Sequence, residues 1–275
     1  MLGRCCSCMD SVGDVDIQRI SFDSKTYDTD SVAVESPLSI NVEFRGDSYS
    51  VGILMRTPGD DEELVIGFLF GEGIITEMKH VTEILIDDNC CKVKISEESF
   101  FDPLEHVRKT SVSSACGICG RDSINNLLRL QNVGMKNGQI YSLKTIIDSV
   151  NTLRSSQNIF SVTGGSHAAA MMSPRGTLRI ISEDVGRHNA VDKLVGKCIS
   201  NGMHDPGENF LVVSGRASFE LVMKSIRFGF PLMVAVGAPS SLAIDMAIEH
   251  GMTLVGFVKE ENASVYSFPG RVSIS

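Results

Sequence analysis

Cys116 and Cys119 form a Cys-x-x-Cys pair within Ser113-Ser114-Ala115-Cys116-Gly117-Ile118-Cys119-Gly120-Arg121. Glycines at 117 and 120 make this loop short and pliable. Two thiols at that spacing suit three chemistries: a disulfide, half of a zinc site, or a sulfur atom carried as a persulfide. A zinc nucleobase deaminase needs His-x-Glu followed later by Pro-Cys-x-x-Cys. Here Ala168 and Ala169 follow His167, the cysteine pair precedes the histidine, and Ala115 stands where the proline would be, which argues against that reaction. Structural zinc needs two further ligands at short spacing, and there is no second Cys-x-x-Cys. Thioredoxin-type exchange expects the pair at a helix start after the first strand of a compact βαβ unit. A long strand-rich region precedes this pair instead.

A second group of residues has the chemistry of anion binding. Ser214-Gly215-Arg216-Ala217-Ser218 and Gly237-Ala238-Pro239-Ser240-Ser241 each connect an apolar run to a helical pattern, and Phe257-Val258-Lys259-Glu260-Glu261-Asn262 follows a third run. Ligands of open α/β sheets bind at the carboxyl ends of the strands. Small residues let a ligand approach the backbone there, and helix N–H groups attract negative charge. Arg216 adds a fixed cation, so a nucleotide or phosphorylated cofactor suits these loops; read blandly, they are ordinary cap and turn residues. Glu183-Asp184-Val185-Gly186-Arg187-His188-Asn189-Ala190-Val191-Asp192-Lys193 is dense in charge. Arg187, His188 and Lys193 suit anion contact, with Asp184 and Asp192 to orient them. The competing reading is a solvated loop capped by Asn189. His167, after Gly164-Gly165-Ser166, fits an acid/base group, a ligand or a satisfied core histidine.

The elements that must hold these groups follow from periodicity. Residues 1–16 read as a tail. Val32–Val34, Leu38–Phe44 and Tyr49–Met55 have strand character, the last two joined by a turn at Arg45-Gly46-Asp47. A helix from Glu62 to Phe70 opens on acidic residues, as its dipole favours. Val81–Ile86 and Cys91–Ile95 pair around Asp87-Asp88-Asn89, with Cys90 and Cys91 as strand packing. The polar stretch from Asp102 to Ser114, carrying His106, Arg108 and Lys109, delivers the cysteine loop. Ile124, Leu127 and Leu128 then suggest a helix, and Ser142 caps another. Ala168–Met172 and Leu178–Ile181 flank a turn at Pro174-Arg175-Gly176, and a helix runs from about Asn189 with Cys198 on its apolar face. Phe210–Val213, a helix from about Ser218 to Phe228, Leu232–Val236, a helix from Ser241 to His250, and Thr253–Val258 complete a β-α-β-α-β pattern. The expected organisation is a tail (1–16), an N-terminal α+β domain (17–105), and an α/β cofactor-binding domain with a mainly parallel sheet (106–275).

The 275 residues are 43% hydrophobic and 21% charged, with a formal net charge of −9. That acidity argues against broad binding of nucleic acid or a membrane surface. No apolar run reaches the roughly 18–20 residues that span a bilayer, and Met1 to Asp16 lacks a signal core, so a cytoplasmic protein is expected. The eight cysteines do not form a secreted disulfide framework. The early cluster Cys5, Cys6 and Cys8 lacks zinc-like spacing.

Together these stretches resemble the FdhD family of sulfur carriers required for formate dehydrogenase activity. The matching motifs are Ser114 to Gly120, Thr163 to Ala169, Asp184 to Lys193, Ser214 to Glu220, Ala238 to Ala243, and Leu254 to Val258 followed by Val265-Tyr266. Glu35, Pro37, Leu38, Gly67 to Leu69 and Gly73 to Ile75 also match, so the resemblance covers roughly 17–270. It implies a cytidine-deaminase-like α/β fold with an added N-terminal domain, as a homodimer. It also implies sulfur received from a cysteine desulfurase as a persulfide on the cysteine loop, then passed to the molybdenum or tungsten bis(molybdopterin guanine dinucleotide) cofactor of formate dehydrogenase. The persulfide cysteine of the family matches Cys116, with Cys119 beside it, and its cofactor-binding stretch falls on about Phe257 to Asn262. Many members have Arg-Gly and further basic residues there; this chain has Lys259-Glu260-Glu261, where a carboxylate suits the adjacent N–H donors of guanine.

The steps implied are activation of Cys116 as a thiolate by loop N–H groups and Arg121, attack on the donor persulfide, and delivery to the bound metal centre, with Cys119 resolving or sharing the sulfur. The guanine ends would lie on the Ser214–Ser218 and Gly237–Ser241 loops, and Arg187, His188 and Lys193 would hold pyrophosphate. The alternatives are a non-enzymatic chaperone for the molybdenum cofactor and a structural zinc module.

Overall fold

Alternation along Ser36–Phe44 decides the N-terminal architecture. Leu38, Ile40, Val42 and Phe44 are buried, while Pro37, Ser39, Asn41 and Glu43 face outward. The computed structural model describes residues 11–107 and 138–274. Cys5, Cys6, Cys8, Arg108, Lys109, Cys116, Cys119, Arg121 and the helix expected around Ile124, Leu127 and Leu128 lie outside the described residues.

The first elements are β1 (Val12–Ile20) and β2 (Lys25–Ala33), an antiparallel hairpin outside both larger sheets. The stretch read as a tail is therefore strand from Val12 onward, because nine residues of β1 pair in register with β2. Next come β3 (Ser36–Phe44) and β4 (Asp47–Arg56). Arg45 and Gly46 both take positive φ, 54° and 90°, as a two-residue hairpin loop of type I′ requires. Helix α1 (Asp61–Gly71) opens on Asp61, Glu62 and Glu63 and is buried from Leu64 to Gly71. Strands β5 (Val81–Asp87) and β6 (Cys90–Ile95) complete a four-stranded sheet in the order β4-β3-β6-β5, and a short α2 (Pro103–His106) follows.

The second half begins with β7 (Tyr141–Ser142) and α3 (Leu143–Ser155), whose cap Ser142 accepts from the Thr145 amide at 3.0 Å. Then come α4 (Asn158–Thr163), β8 (His167–Met172), β9 (Leu178–Asp184), α5 (Arg187–Ser200), β10 (Phe210–Val213), α6 (Phe219–Phe228), β11 (Leu232–Ala235), α7 (Ser241–Glu249), β12 (Thr253–Gly256), β13 (Ser264–Ser267) and β14 (Val272–Ser273). The large sheet has six strands in the order β13-β12-β11-β10-β8-β9. The expected β-α-β-α-β unit is present, with β10, β11 and β12 parallel. The sheet as a whole is mixed, because β8–β9, β8–β10 and β12–β13 run antiparallel. An antiparallel β8–β9 hairpin precedes the parallel unit, and an apolar run does not record the direction of its partner. The α/β class with a smaller strand-rich N-terminal part is the class observed.

Helices cover both faces of that sheet. Tyr141, Ile146, Val150 and Leu153 pack on one face with Ala168, Ala170, Phe210, Val212 and Val234. The other face, with Ala169, Met171, Leu211, Val213 and Met233, belongs to a core that runs without a break through α5, α6 and α1 to β3 and β6. Helices α1 and α5 cross in backbone contact. A Cβ at Gly67 would collide with the Asp192 carbonyl, and one at Gly196 with the Glu63 carbonyl. Two glycines facing each other's helix thus set the distance at which the N-terminal half meets α5.

Candidate functional site

The loops that leave β10, β11 and β12 are tied side by side. Gly237 N donates to Gly215 O at 3.0 Å, Phe257 N to Gly237 O at 3.2 Å, Ala217 N to Ala238 O at 3.2 Å, and Ser240 N to Ala217 O at 3.0 Å. The parallel ladder thus continues past the strand ends, down to an isolated bridge between Ala217 and Pro239. Helices α6 and α7 both start from this stitched edge, so the positive ends of two helix dipoles lie together. A Cβ on Gly237 would lie 3.0 Å from Arg216 Cγ, so Arg216 lies across it; this cation is exposed and makes no ion pair among the described residues.

The residues before α5 join the same edge. The position of a Cβ on Gly215 is 3.4 Å from His167 Nδ1 and 3.9 Å from Arg187 Cδ, which places both side chains against the β10 loop. Arg187 Nε is buried with no hydrogen-bond partner among the described residues. A buried guanidinium N–H without an acceptor is costly and invites one from outside. His188 Nε2 lies 2.9 Å from Glu220 Oε2 and 3.3 Å from Ser218 Oγ. Ser218 has cap backbone angles but makes no side-chain cap bond, because its hydroxyl faces His188. Both contacts fall on one ring nitrogen, so His188 cannot take a proton from Ser218 while Nε2 is bonded to Glu220, and no hydrolase triad is formed. Burial, then the neighbouring charges of Arg187 and His188, hold the His167 imidazole below its ordinary value.

Two expected site residues are elsewhere. Lys193 is buried inside the molecule. Its ammonium is 2.8 Å from Asp184 Oδ2 and donates to Thr57 O at 2.7 Å, so it is a structural ion-pair partner and does not reach a pyrophosphate at the edge. The Val258 side chain packs in the core, and within its stretch Phe257, Lys259, Glu260, Glu261 and Asn262 are exposed. Phe257 takes a φ of 51°, a conformation that costs an L-residue energy and turns its ring outward, 45% exposed. Ser214 and Ser240 are partly committed: Ser214 Oγ accepts from Ala168 N at 2.9 Å, and Ser240 Oγ caps Ala243 N at 3.3 Å. Pro239 and Ser241 flank the α7 start at the same edge.

The charged motif thus divides. Arg187 and His188 face the edge. Asp184, fully buried, accepts from Thr57 N, Gly186 N and Asn189 Nδ2 as well as Lys193. Asp192 pairs with Lys224 at 2.6 Å. Asn189 is not the cap of α5, which begins two residues earlier at Arg187; its amide donates to Met55 O and Asp184 Oδ1. Sequence reasoning missed Glu220 and Thr57, whose partners lie 32 and 127 positions away in the chain for His188 (to Glu220) and Asp184 (to Thr57), respectively. An acidic residue in the first turn of α6 carried only the signal of dipole compensation. The buried Cys91 and Cys198 thiols are both pushed up to about 12 by burial, so neither is a nucleophile near neutral pH.

Comparison with known proteins decides the kinship. The FdhD/NarQ family model matches residues 33–273. The chain belongs to the FdhD/NarQ family. It is 41% identical over 249 residues to a protein of Picrophilus torridus named sulfur carrier protein FdhD, covering 90% of this chain and 94% of that one. It is 38% identical to the protein of that name from Saccharolobus solfataricus, covering 94% and 96% of the two chains. The solved structure of a candidate formate dehydrogenase accessory protein from Desulfotalea psychrophila superposes with a TM-score of 0.74 at 23% identity, over 96% of this chain and all of that one. That likeness shows the same fold. The FdhD/NarQ match spans both the four-stranded and the six-stranded sheets, so the edge of β10–β12 falls inside the family segment.

Proposed function

We propose that this chain is a sulfur carrier that supports maturation of formate dehydrogenase, and that the edge of β10–β12 holds the guanine-nucleotide ends of its substrate, the molybdenum or tungsten bis(molybdopterin guanine dinucleotide) cofactor. The names of its relatives support the carrier role. The observation that carries the binding role is Arg187 Nε, buried and without an acceptor among the described residues, beside two helix N-termini and the exposed Arg216. Phosphate oxygens supply the missing acceptor, and Phe257 offers an exposed ring against which a base can stack.

The sulfur step falls to Cys116 and Cys119. The Cys116 thiolate attacks the outer sulfur of a cysteine desulfurase persulfide; the donor's inner sulfur leaves as its thiolate, and Cys116 carries the outer sulfur. Attack by the Cys119 thiolate on the Cys116 sulfur then releases that outer sulfur as sulfide to the substrate's metal and leaves a Cys116–Cys119 disulfide. A dithiol reductant resets the pair. Electrons balance, since the outer sulfur gains the two that the two cysteine sulfurs lose in forming the disulfide.

Mass spectrometry after incubation with a desulfurase and cysteine is expected to show one added sulfur atom in the wild type and none in Cys116→Ala. Equal gain in both proteins would exclude Cys116 as the carrier. GDP titration is expected to show saturable binding that Arg187→Ala weakens.

A further inference from the structure

The side chains that grip the N-terminal half from α5 lie four residues apart. Asn189 Nδ2 donates to Met55 O at 2.7 Å, Lys193 Nζ to Thr57 O at 2.7 Å, and Lys197 Nζ pairs with Asp60 Oδ2 at 2.6 Å. Residues with that spacing share one face of a helix. Their targets are the end of β4, at Met55, and the loop between β4 and α1, at Thr57 and Asp60. Thr57 is the centre of this grip. Its amide donates to Asp184 Oδ2 at 3.0 Å, its hydroxyl accepts from Val185 N at 3.0 Å, and its carbonyl accepts from Lys193. Thr57 is fully buried. All three of its polar groups are therefore spent on the turn and helix that carry Arg187 and His188.

The glycine crossing fixes how far α5 lies from α1 and which face it turns toward it. The stripe of Asn189, Lys193 and Lys197 adds polar contacts that hold the same rotation. Rotating α5 would break three contacts at once and swing Arg187 and His188 away from Gly215 and Glu220.

We propose that Thr57 is a positioning residue for the nucleotide edge: through Val185 N and the β9–α5 turn it sets the orientation of Arg187 and His188 and so the affinity of that edge for an anionic nucleotide. This rests on the reading of the edge as a nucleotide site. Among the described residues the Thr57 hydroxyl bonds to Val185 N, so its effect reaches Arg187 and His188 through the turn.

Thr57→Val keeps the shape and both backbone bonds but leaves Val185 N buried without its acceptor; Thr57→Ser keeps the hydroxyl. With GDP as the probe, Thr57→Val is expected to weaken binding roughly fivefold, the effect of about one buried hydrogen bond, while Thr57→Ser stays within about twofold of wild type. In an Arg187→Ala background Thr57→Val is expected to cost little further affinity, because residues acting through one group are non-additive. The His188 ring NMR chemical shifts, followed without ligand at fixed pH, should move in Thr57→Val and not in Thr57→Ser. Groups near that ring are Glu220 on α6, Ser218 at its cap, His167 on β8 and Asp192 on α5. Wild-type binding of GDP with unchanged affinity in Thr57→Val, or equal losses with and without Arg187, would overturn the proposal while leaving the nucleotide reading in place. No GDP binding by wild type would overturn both, and a shifted His188 ring would then report orientation alone.

Discussion

Arg187 and Lys193 stand in one helix, and truncation is expected to separate them. Lys193→Met strands the Asp184 carboxylate in the interior, where loss of one partner of a buried pair costs about 3–5 kcal/mol. Urea unfolding should read that as a large fall in midpoint. Arg187→Ala removes a guanidinium whose Nε has no acceptor among the described residues, so stability should change by less than about 1 kcal/mol. GDP affinity should instead fall about tenfold or more, as for a charged hydrogen bond. Equal destabilisation by both variants would contradict this division. His167 adds a pH dependence whose sign follows from its depressed folded value. Between that value and the ordinary 6.5, the unfolded chain binds the proton and the folded chain does not, so this group's contribution to stability falls on acidification through that window. The loss should be smaller in His167→Gln, measured by urea midpoints from pH 7.5 downward. At this scale the sequence was legible in part. Arg187 and His188 stood out by charge density beside a glycine turn. Lys193 looked the same, because burial is decided by the packing of α1 and β4 on α5, which local charge does not reveal. The Cys116–Cys119 pair was the plainest chemical signal of all, and it lies outside the described residues.

Elements were more legible than their partners. The alternation in β3, the hairpin at Arg45-Gly46, the acidic start of α1 and the Ser142 cap all obey local rules and all took the expected form. The start of α5 did not, because Asn189 is drawn to Met55 O, a partner 134 positions away. Gly67 and Gly196 show the same limit. Within a helical pattern each reads as a weak spot, yet together they permit the α1–α5 contact. Gly196→Ala forces a methyl group against the Glu63 backbone, which cannot rotate aside as a side chain would. The expected loss is about 3 kcal/mol, at the upper end of overpacking effects, read as a fall in urea midpoint. Part of the GDP affinity should go with it, since α5 then moves relative to the β10 loop. A wild-type midpoint in Gly196→Ala would mean that the two helices separate at no cost.

Across the whole molecule, the four-stranded and the six-stranded sheets share one core. One cluster of buried side chains runs from Leu38 and Val93 through Leu64 and Leu69 to Leu194, Leu211 and Leu254. Polar contacts cross between the same elements, with the buried Asp184 and Lys193 both bonded to Thr57. Unfolding either half alone would expose the apolar face of α5 and strip Asp184 of its Thr57 bond and Lys193 of its carbonyl acceptor. Two halves coupled this way are expected to melt together despite the length of the chain. Calorimetry should show one transition whose van't Hoff and calorimetric enthalpies agree. The β1–β2 hairpin is the exception, since it joins neither larger sheet and a lone two-stranded ribbon is marginal in water. Its amides should exchange with solvent through local opening, well before those of β10 and β11. Two resolved calorimetric transitions would mean that the grip of α5 on the β4–α1 loop is too weak to couple the halves. In that case Thr57 would have no leverage on the nucleotide edge either, because a loop that can detach without disturbing α5 cannot set where Arg187 points.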